Sequence, residues 1–370
     1  MDVINFEEFS LAVIFMIFGL AAGAVWFAGT KLARYADALA KKTGTADVVI
    51  GTLLLGGVTS LPEVATTITA SWEGDAAIAI NNLFGGVALQ ITILAVGDAL
   101  VRKRSITSLI ASPVVQLQAV VGILLLVTAA CLVLVGDHGI AHIGIGSVLI
   151  FLFFIGGFYL INYFQSIHWW RSDPEERDNI GKVRKIMKRE IVLEDEKVKK
   201  EEEETQRSFA SILKTRLFLY LALSALTILV AGYTVVQTGQ AISEKTGLGS
   251  SVVGAIFIAV ATSLPEVSTT ISAVRMQEYR LAFSNILGTN IFTIGFVFLA
   301  DIFYAEGPVL NNVGEFSIFG AMLGILLTTI YVIGLSIRLK KVFLNLGYDS
   351  LLVVIGYLTG VYIMFTVLKT

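Results

Sequence analysis

Apolar positions in this chain come in long runs rather than in alternation, and each run is cut off by charge or by a Gly/Asn cluster. Ten such runs are long enough to cross a bilayer. They predict transmembrane helices at about 10–31, 46–71, 76–100, 112–135, 141–165, 212–237, 250–274, 280–303, 315–337 and 347–368. The predicted class is an all-α polytopic membrane protein. One long polar stretch, 171–207, separates the fifth run from the sixth, with 11 Lys and Arg and 12 Asp and Glu. Its first half is basic and its second acidic. Blocks of charge usually stay hydrated, so a solvated linker is expected; a segment that binds lipid head groups or ions is the sharper alternative.

The pattern also repeats. Thr59-Ser60-Leu61-Pro62-Glu63 recurs as Thr262-Ser263-Leu264-Pro265-Glu266, 203 residues on. The same offset aligns Ala28-Gly29 with Ala231-Gly232, Gly51 with Gly254, and Asn82-Leu83-Phe84-Gly85 with Asn285-Ile286-Leu287-Gly288. The chain therefore divides into a first five-helix repeat (9–165), a charged linker (166–211) and a second five-helix repeat (212–368). Five is odd, so the second repeat crosses in the opposite sense, giving two inverted repeats with interrupted helices and a midplane site. Basic residues follow the first, third, seventh and ninth helices (Arg34, Arg104, Arg275 and Lys340 among them), while the even connections are acidic or nearly neutral. The positive-inside rule then places the linker in the cytoplasm and both termini outside it.

Composition narrows the function class. With 55% hydrophobic residues, 15% charged and a mean hydropathy of +0.80, the chain is too apolar for a soluble protein of its length. The single cysteine, Cys131, excludes an internal disulfide and a thiolate metal site, and it is read as a packing residue. The three histidines, His138, His142 and His168, lie near segment ends, which argues against a transition-metal cluster. The N-terminus lacks a basic region and a cleavage site, so no removable signal peptide is expected. No nucleophile with an adjacent base is visible, so no enzyme is expected, and no organic cofactor or nucleic-acid partner.

The candidate chemistry sits where it is most costly. A carboxylate in the middle of an apolar run marks function by default. Pro62 cannot donate to the carbonyl of Val58, which frees backbone oxygen beside the acid. On a helix Thr59, Glu63 and Thr66/Thr67 share a face, with Gly56 a turn back; Thr262, Glu266 and Thr269/Thr270 repeat this, with Ala259 in the place of Gly56. The four later threonines lean towards backbone bonding. Asn82 and Gln90 on the third helix, and Asn285, Thr289 and Thr293 on the eighth, add neutral oxygens. Two glutamates among carbonyls and hydroxyls suit Ca²⁺, which accepts six to eight oxygens, better than Mg²⁺.

Paired TSLPE motifs, the Asn-x-x-Gly segments and the five-plus-five plan resemble the cation/calcium exchanger superfamily, and within it the prokaryotic sodium/calcium exchangers. The resemblance covers both repeats. It implies ion ligation by Thr59, Ser60, Glu63, Thr262, Ser263 and Glu266, with main-chain carbonyls of Gly56 and Ala259. It breaks where the family pattern G-S-N-x-x-N/D is replaced by Gly85 to Gln90 and by Gly288 to Thr293. Gly86 lacks the hydroxyl, and neither Gln90 nor Thr293 supplies a third acid. The expected function is a secondary antiporter in the cell membrane, moving Ca²⁺ against Na⁺ or H⁺ by alternating access. The partners are the lipid bilayer and inorganic cations, with Ca²⁺ and Na⁺ as the transported ions. The alternative is a proton- or sodium-coupled carrier of another cation, such as a Ca²⁺/H⁺ or Na⁺/H⁺ exchanger.

Overall fold

The computed structural model describes residues 6–43, 57, 59–101, 104–110, 112–140, 142–166, 213–338, 340–343 and 345–367. Gly56 and nearly all of the 166–211 linker lie outside the described residues. The long helices are α1 (Leu11–Thr43), α2 (Leu61–Trp72), α3 (Ala76–Val101), α4 (Pro113–Val135), α5 (Ile145–Ser166) and α6 (Lys214–Thr246). After them come α7 (Ser250–Thr262), α8 (Leu264–Arg275), α9 (Tyr279–Phe303), α10 (Glu315–Ile337) and α11 (Tyr348–Thr366). Among the described residues eight helices are long and apolar enough to cross a membrane, and nine if the bent pair α7 and α8 counts as one crossing. The protein is a mostly helical, multi-pass membrane protein.

The boundaries differ from the sequence expectation at two places. Helix α1 runs to Thr43 rather than to residue 31, and α6 to Thr246 rather than to 237. Lys31, Arg34 and Ser243 to Lys245, expected in connections, are therefore helical. Hydropathy marks where a helix leaves the apolar layer, not where its hydrogen bonding stops; long basic side chains reach the interface from within the helix. Gly247 ends α6 in a left-handed conformation at φ 67, as helix-terminating glycines do. The other difference is Cys131, which is exposed on the outer surface of the bundle rather than packed.

Burial ranks the helices. The spanning windows of α3 and α9 are 72% and 67% buried, against 22% for α5 and α11. The helices with amides and hydroxyls in their middles are thus the core, and the more uniformly apolar ones face lipid. Helices α1 and α6 pack along one another and against the broken helices, while α4, α5, α10 and α11 pack around α3 and α9. Close approach is set by glycine. A Cβ on Gly29 would stand 2.6 Å from Pro265 Cγ, and one on Gly232 2.8 Å from Ala65 Cβ. Small residues at such crossings let helix backbones approach in a membrane.

The 203-residue offset extends well beyond the motif. Helices α1 and α6 start and stop 203 residues apart, and so do α2 and α8. So do two 3-10 turns, Ile106–Leu109 and Val309–Asn312. Two short antiparallel hairpins follow the same offset. In one Ile140 pairs with Ile143, in the other Phe343 with Leu346.

A buried carboxylate at the end of each core helix ties this arrangement together. Asp98 on α3 accepts from Ile106 N at 2.6 Å, in the turn that follows it, and from Gly347 N at 2.6 Å, in the distant hairpin. Asp301 on α9 accepts from Val309 N at 2.7 Å, from Gly144 N at 2.6 Å and from Ser147 Oγ at 2.5 Å. The two are 203 residues apart, fully buried, and each reaches across to the other half of the chain. Backbone N–H groups at a membrane boundary need acceptors, and a carboxylate with two oxygens can serve two segments at once.

Candidate cation site

The motif helices break where the sequence places proline. Ser60 and Ser263 hold nearly the same backbone, φ −83 and ψ 7 against φ −84 and ψ 2, and a new helix starts one residue later. Pro62 and Pro265 fall in its first turn, where the missing N–H costs nothing. Between α7 and α8 the axis bends by 47°. Helix α7 carries a π-helical stretch at Val253–Ile258, over which Gly254 approaches the backbone of α3 near Ile78. The break puts Glu63 and Glu266 in the first turns of α2 and α8, where unpaired N–H groups and the helix dipole favour negative charge.

Around the acids the structure gathers oxygen. Thr59, Ser60, Glu63, Gln90, Thr262, Ser263, Glu266, Thr289 and Thr293 are all at most 1% exposed. Gln90 Nε2 donates to Glu63 Oε1 at 3.2 Å and to Ser263 Oγ at 3.4 Å, which joins the first motif to the second. Among the described residues the other oxygen of Glu63 and both oxygens of Glu266 have no hydrogen-bond partner. Asn82 Oδ1, Gln90 Oε1 and Thr289 Oγ1 are likewise buried and unpartnered. Six such oxygens away from water cost several kcal/mol unless a positive charge meets them. That donor set, carboxylate plus neutral oxygen with neither nitrogen nor sulfur, fits a hard cation. Among the described residues no three His, Cys, Asp or Glu side chains gather to hold a metal, so the charge at this site comes from the two glutamates.

A family model described as sodium/calcium exchanger protein matches residues 13–170 and 216–370, nearly the whole chain. The protein belongs to the sodium/calcium exchanger family. Among curated relatives of this exchanger, the putative antiporter CaxA of Alkalimonas amylolytica is 23% identical over 300 residues, covering 81% of this chain and 82% of that one. Two solved structures share its fold. The H⁺/Ca²⁺ exchanger CAX superposes with a TM-score of 0.63 at 15% identity, over 96% of this chain and 85% of that one. The sodium-calcium exchanger NCX_Mj gives 0.57 at 17% identity, over 95% and 99%. The exchanger is accordingly a membrane transporter of the cation/calcium exchanger superfamily.

Not every residue singled out in the exchanger's sequence faces the acids in the same way. Asn82 Nδ2 donates to Thr66 Oγ1 at 3.0 Å and half-buried Asn285 to Thr269 Oγ1 at 3.1 Å, a matched pair that ties each core helix to its motif helix. Thr66 and Thr269 turn their hydroxyls to their own backbones, as threonine in a helix tends to. Thr293 Oγ1 donates to the Thr289 carbonyl at 2.9 Å, and Thr262 Oγ1 to the Ala259 carbonyl at 3.2 Å. The Ala259 carbonyl also accepts from Ser263 N at 3.0 Å, so two donors already use it. Gln90 turns its amide nitrogen to Glu63 and leaves its oxygen without a partner among the described residues. The pairing of Gln90 with Ser263 across 173 residues was not legible in the sequence, where amides show no partner.

Proposed function

We propose that this protein exchanges one Ca²⁺ for two monovalent cations, Na⁺ or H⁺, by alternating access at a site whose charged ligands are Glu63 and Glu266. Three buried carboxylate oxygens without partners carry this reading. Two glutamates neutralise one Ca²⁺ or two monovalent ions, so the site is neutral in both loaded states. Thr59, Ser60, Thr262, Ser263, Asn82 and Gln90 supply neutral oxygens, with Thr289 in reserve on α9. The names of CAX and CaxA and the family description support cation antiport as the class. The recurrence of elements at a fixed offset supports two inverted five-helix repeats with ten crossings. One broken crossing is α7 with α8; most of the residues that precede α2 lie outside the described residues.

Purified protein in liposomes tests the coupling. Ca²⁺ uptake is driven separately by an outward Na⁺ gradient and an outward H⁺ gradient, with voltage clamped by a K⁺ gradient and ionophore. One gradient is expected to drive uptake and the membrane potential to have little effect. A one-for-three exchange moves a net charge, worth ~2.3 kcal/mol per 100 mV, and shifts strongly with voltage. A reversal potential matching three monovalent ions per Ca²⁺ overturns the two-carboxylate count.

Orientation follows from the basic connections and is a separate expectation. With Cys131 replaced by Ser, a single cysteine in the 171–207 linker is expected to resist an impermeant thiol reagent in intact cells, while one near Glu73 reacts. Equal labelling of both overturns the placement of the linker in the cytoplasm.

A further inference from the structure

The two halves diverge along the face that leads from each glutamate to the end of its helix. On α2, residues 63, 67 and 71 lie one turn apart in one stripe. The hydroxyls of Thr67 and Ser71 on that stripe are buried and have no hydrogen-bond partner among the described residues. Many helical threonine hydroxyls in this chain bond the carbonyl four residues back, as Thr69, Thr92 and Thr128 do at 2.8–2.9 Å, whereas Thr270 and Thr289 do not. Thr67 forgoes that bond, and an unmet buried hydroxyl costs ~1–3 kcal/mol. On α8 the same stripe reads Glu266, Thr270 and Val274; the Thr270 hydroxyl is buried and unpartnered among the described residues like that of Thr67, so the two stripes part at Ser71 against Val274. The α8 stripe closes on α3: Val274 Cγ2 stands 3.0 Å and Thr270 Cγ2 3.6 Å from where a Cβ on Gly97 would be.

The ends of the two stripes differ in the same sense. Beyond Ser71, where Trp72 meets Phe303 with ring centroids 6.4 Å apart, come Glu73, Asp75 and, from the end of α9, Glu306. Glu73 accepts from Gln237, and Glu306 accepts from the Tyr304 hydroxyl at 3.1 Å while its Oε1 lies 3.4 Å from the Cβ position of Gly74. Burial pushes the Asp75 carboxyl up from its ordinary range, against the Ile78 N–H that holds it down. Beyond Val274 the stripe ends instead at Arg275, Glu278 and Arg280.

We propose that cations reach and leave Glu63 along the Thr67 and Ser71 hydroxyls through the acidic mouth at Glu73, Asp75 and Glu306, and that the matching face of α8 is not a cation route. This rests on the antiport reading and adds a path to it. Hydroxyl oxygens replace part of the water shell of a hard cation in passing, and the acids at the mouth raise its local concentration. The basic, valine-closed end does neither. The inference assigns to Thr67 and Ser71 a role in the rate of cation passage, separate from the ligands that fix affinity.

Two measurements test it. In a Cys131→Ser background, Thr67→Cys, Ser71→Cys and Val274→Cys are exposed to a small cationic thiol reagent from each face. Cysteines at 67 and 71 are expected to react from the face bearing Glu73 and to be slowed by Ca²⁺ or Na⁺. The cysteine at 274 is expected not to react from the opposite face. Independently, the size-matched pair Thr67→Val with Ser71→Ala is expected to slow initial Ca²⁺ flux about tenfold while equilibrium Ca²⁺ binding, read by calorimetry, is retained. Unreactive cysteines at 67 and 71, or reaction only from the Arg275 face, overturn the path, as does wild-type flux in the double variant. Absence of any Ca²⁺ exchange in the unmodified protein sinks the antiport reading instead, and the labelling pattern by itself then decides the path.

Discussion

Replacing either Glu63 or Glu266 by Gln is expected to abolish divalent transport while the protein still folds. Each substitution keeps the shape of the side chain and leaves one negative charge to face a divalent cation. At about 4 Å and an effective dielectric near 20, one ion pair is worth ~4 kcal/mol, so loss of one partner costs Ca²⁺ occupancy on the order of a thousandfold. Folding survives because the buried charge that is removed had few protein partners: Glu63 accepts from Gln90 at 3.2 Å and Glu266 from no described side chain. A neutral amide is easier to bury than an unmatched carboxylate. The measurement is ⁴⁵Ca²⁺ uptake into liposomes at matched protein density, with size-exclusion profiles as the folding control. A Gln variant at either position that keeps near-normal flux removes that glutamate from the essential ligands.

Much of this was legible because the informative residues are anomalous where they stand. A glutamate after a proline in an apolar run violates two expectations of a membrane helix at once, and doing so twice at a fixed spacing leaves little room for chance. The helix break two residues before each proline, at Ser60 and Ser263, follows from the missing N–H and the bulk of the ring. Partner choice was less legible. Gln90 and Thr293 occupy comparable sequence positions, yet Gln90 reaches both motifs while Thr293 turns back to its own helix. A long amide can span two helices, whereas a threonine is usually captured by the nearest carbonyl. Glycine at 29, 232 and 254 aligned in sequence without revealing what each lies against, since close approach belongs to the pair and not to the residue.

Asp98 and Asp301 lie at the far end of that scale. Each is an acid near the end of an apolar run and reads as an interfacial charge. A signal was present, because Asp98 and Ile106 recur as Asp301 and Val309 at the motif's own offset. Their distant partners are backbone N–H groups, which no sequence pattern marks. The core helices α3 and α9 are thereby fixed at one end to hairpins of the opposite half.

Alanine at Asp301 is therefore expected to be among the most damaging changes outside the cation site. It strands two backbone donors, Gly144 N and Val309 N, and leaves the Ser147 hydroxyl with the Gly144 carbonyl alone. Hydrogen bonds to a charged group contribute ~1.5–3 kcal/mol each, and a buried donor left unmet adds its own desolvation penalty. Together this is at least ~3 kcal/mol, enough to lower the melting temperature of detergent-solubilised protein by about 5 °C or more. Asp98→Ala strands Ile106 N and Gly347 N and is expected to do nearly as much. Asparagine separates charge from connectivity, since its one carbonyl oxygen can serve one segment while its amide group meets the other N–H as a second donor. Asp301→Asn is thus expected to fall between wild type and alanine. Melting curves for the three variants, beside Glu63→Gln as a control that leaves both ties intact, give the ordering. If Asp301→Ala melts with the wild type and transports normally, the carboxylate holds nothing together, and the anchoring of α3 and α9 must come from side-chain packing against α4 and α10 alone.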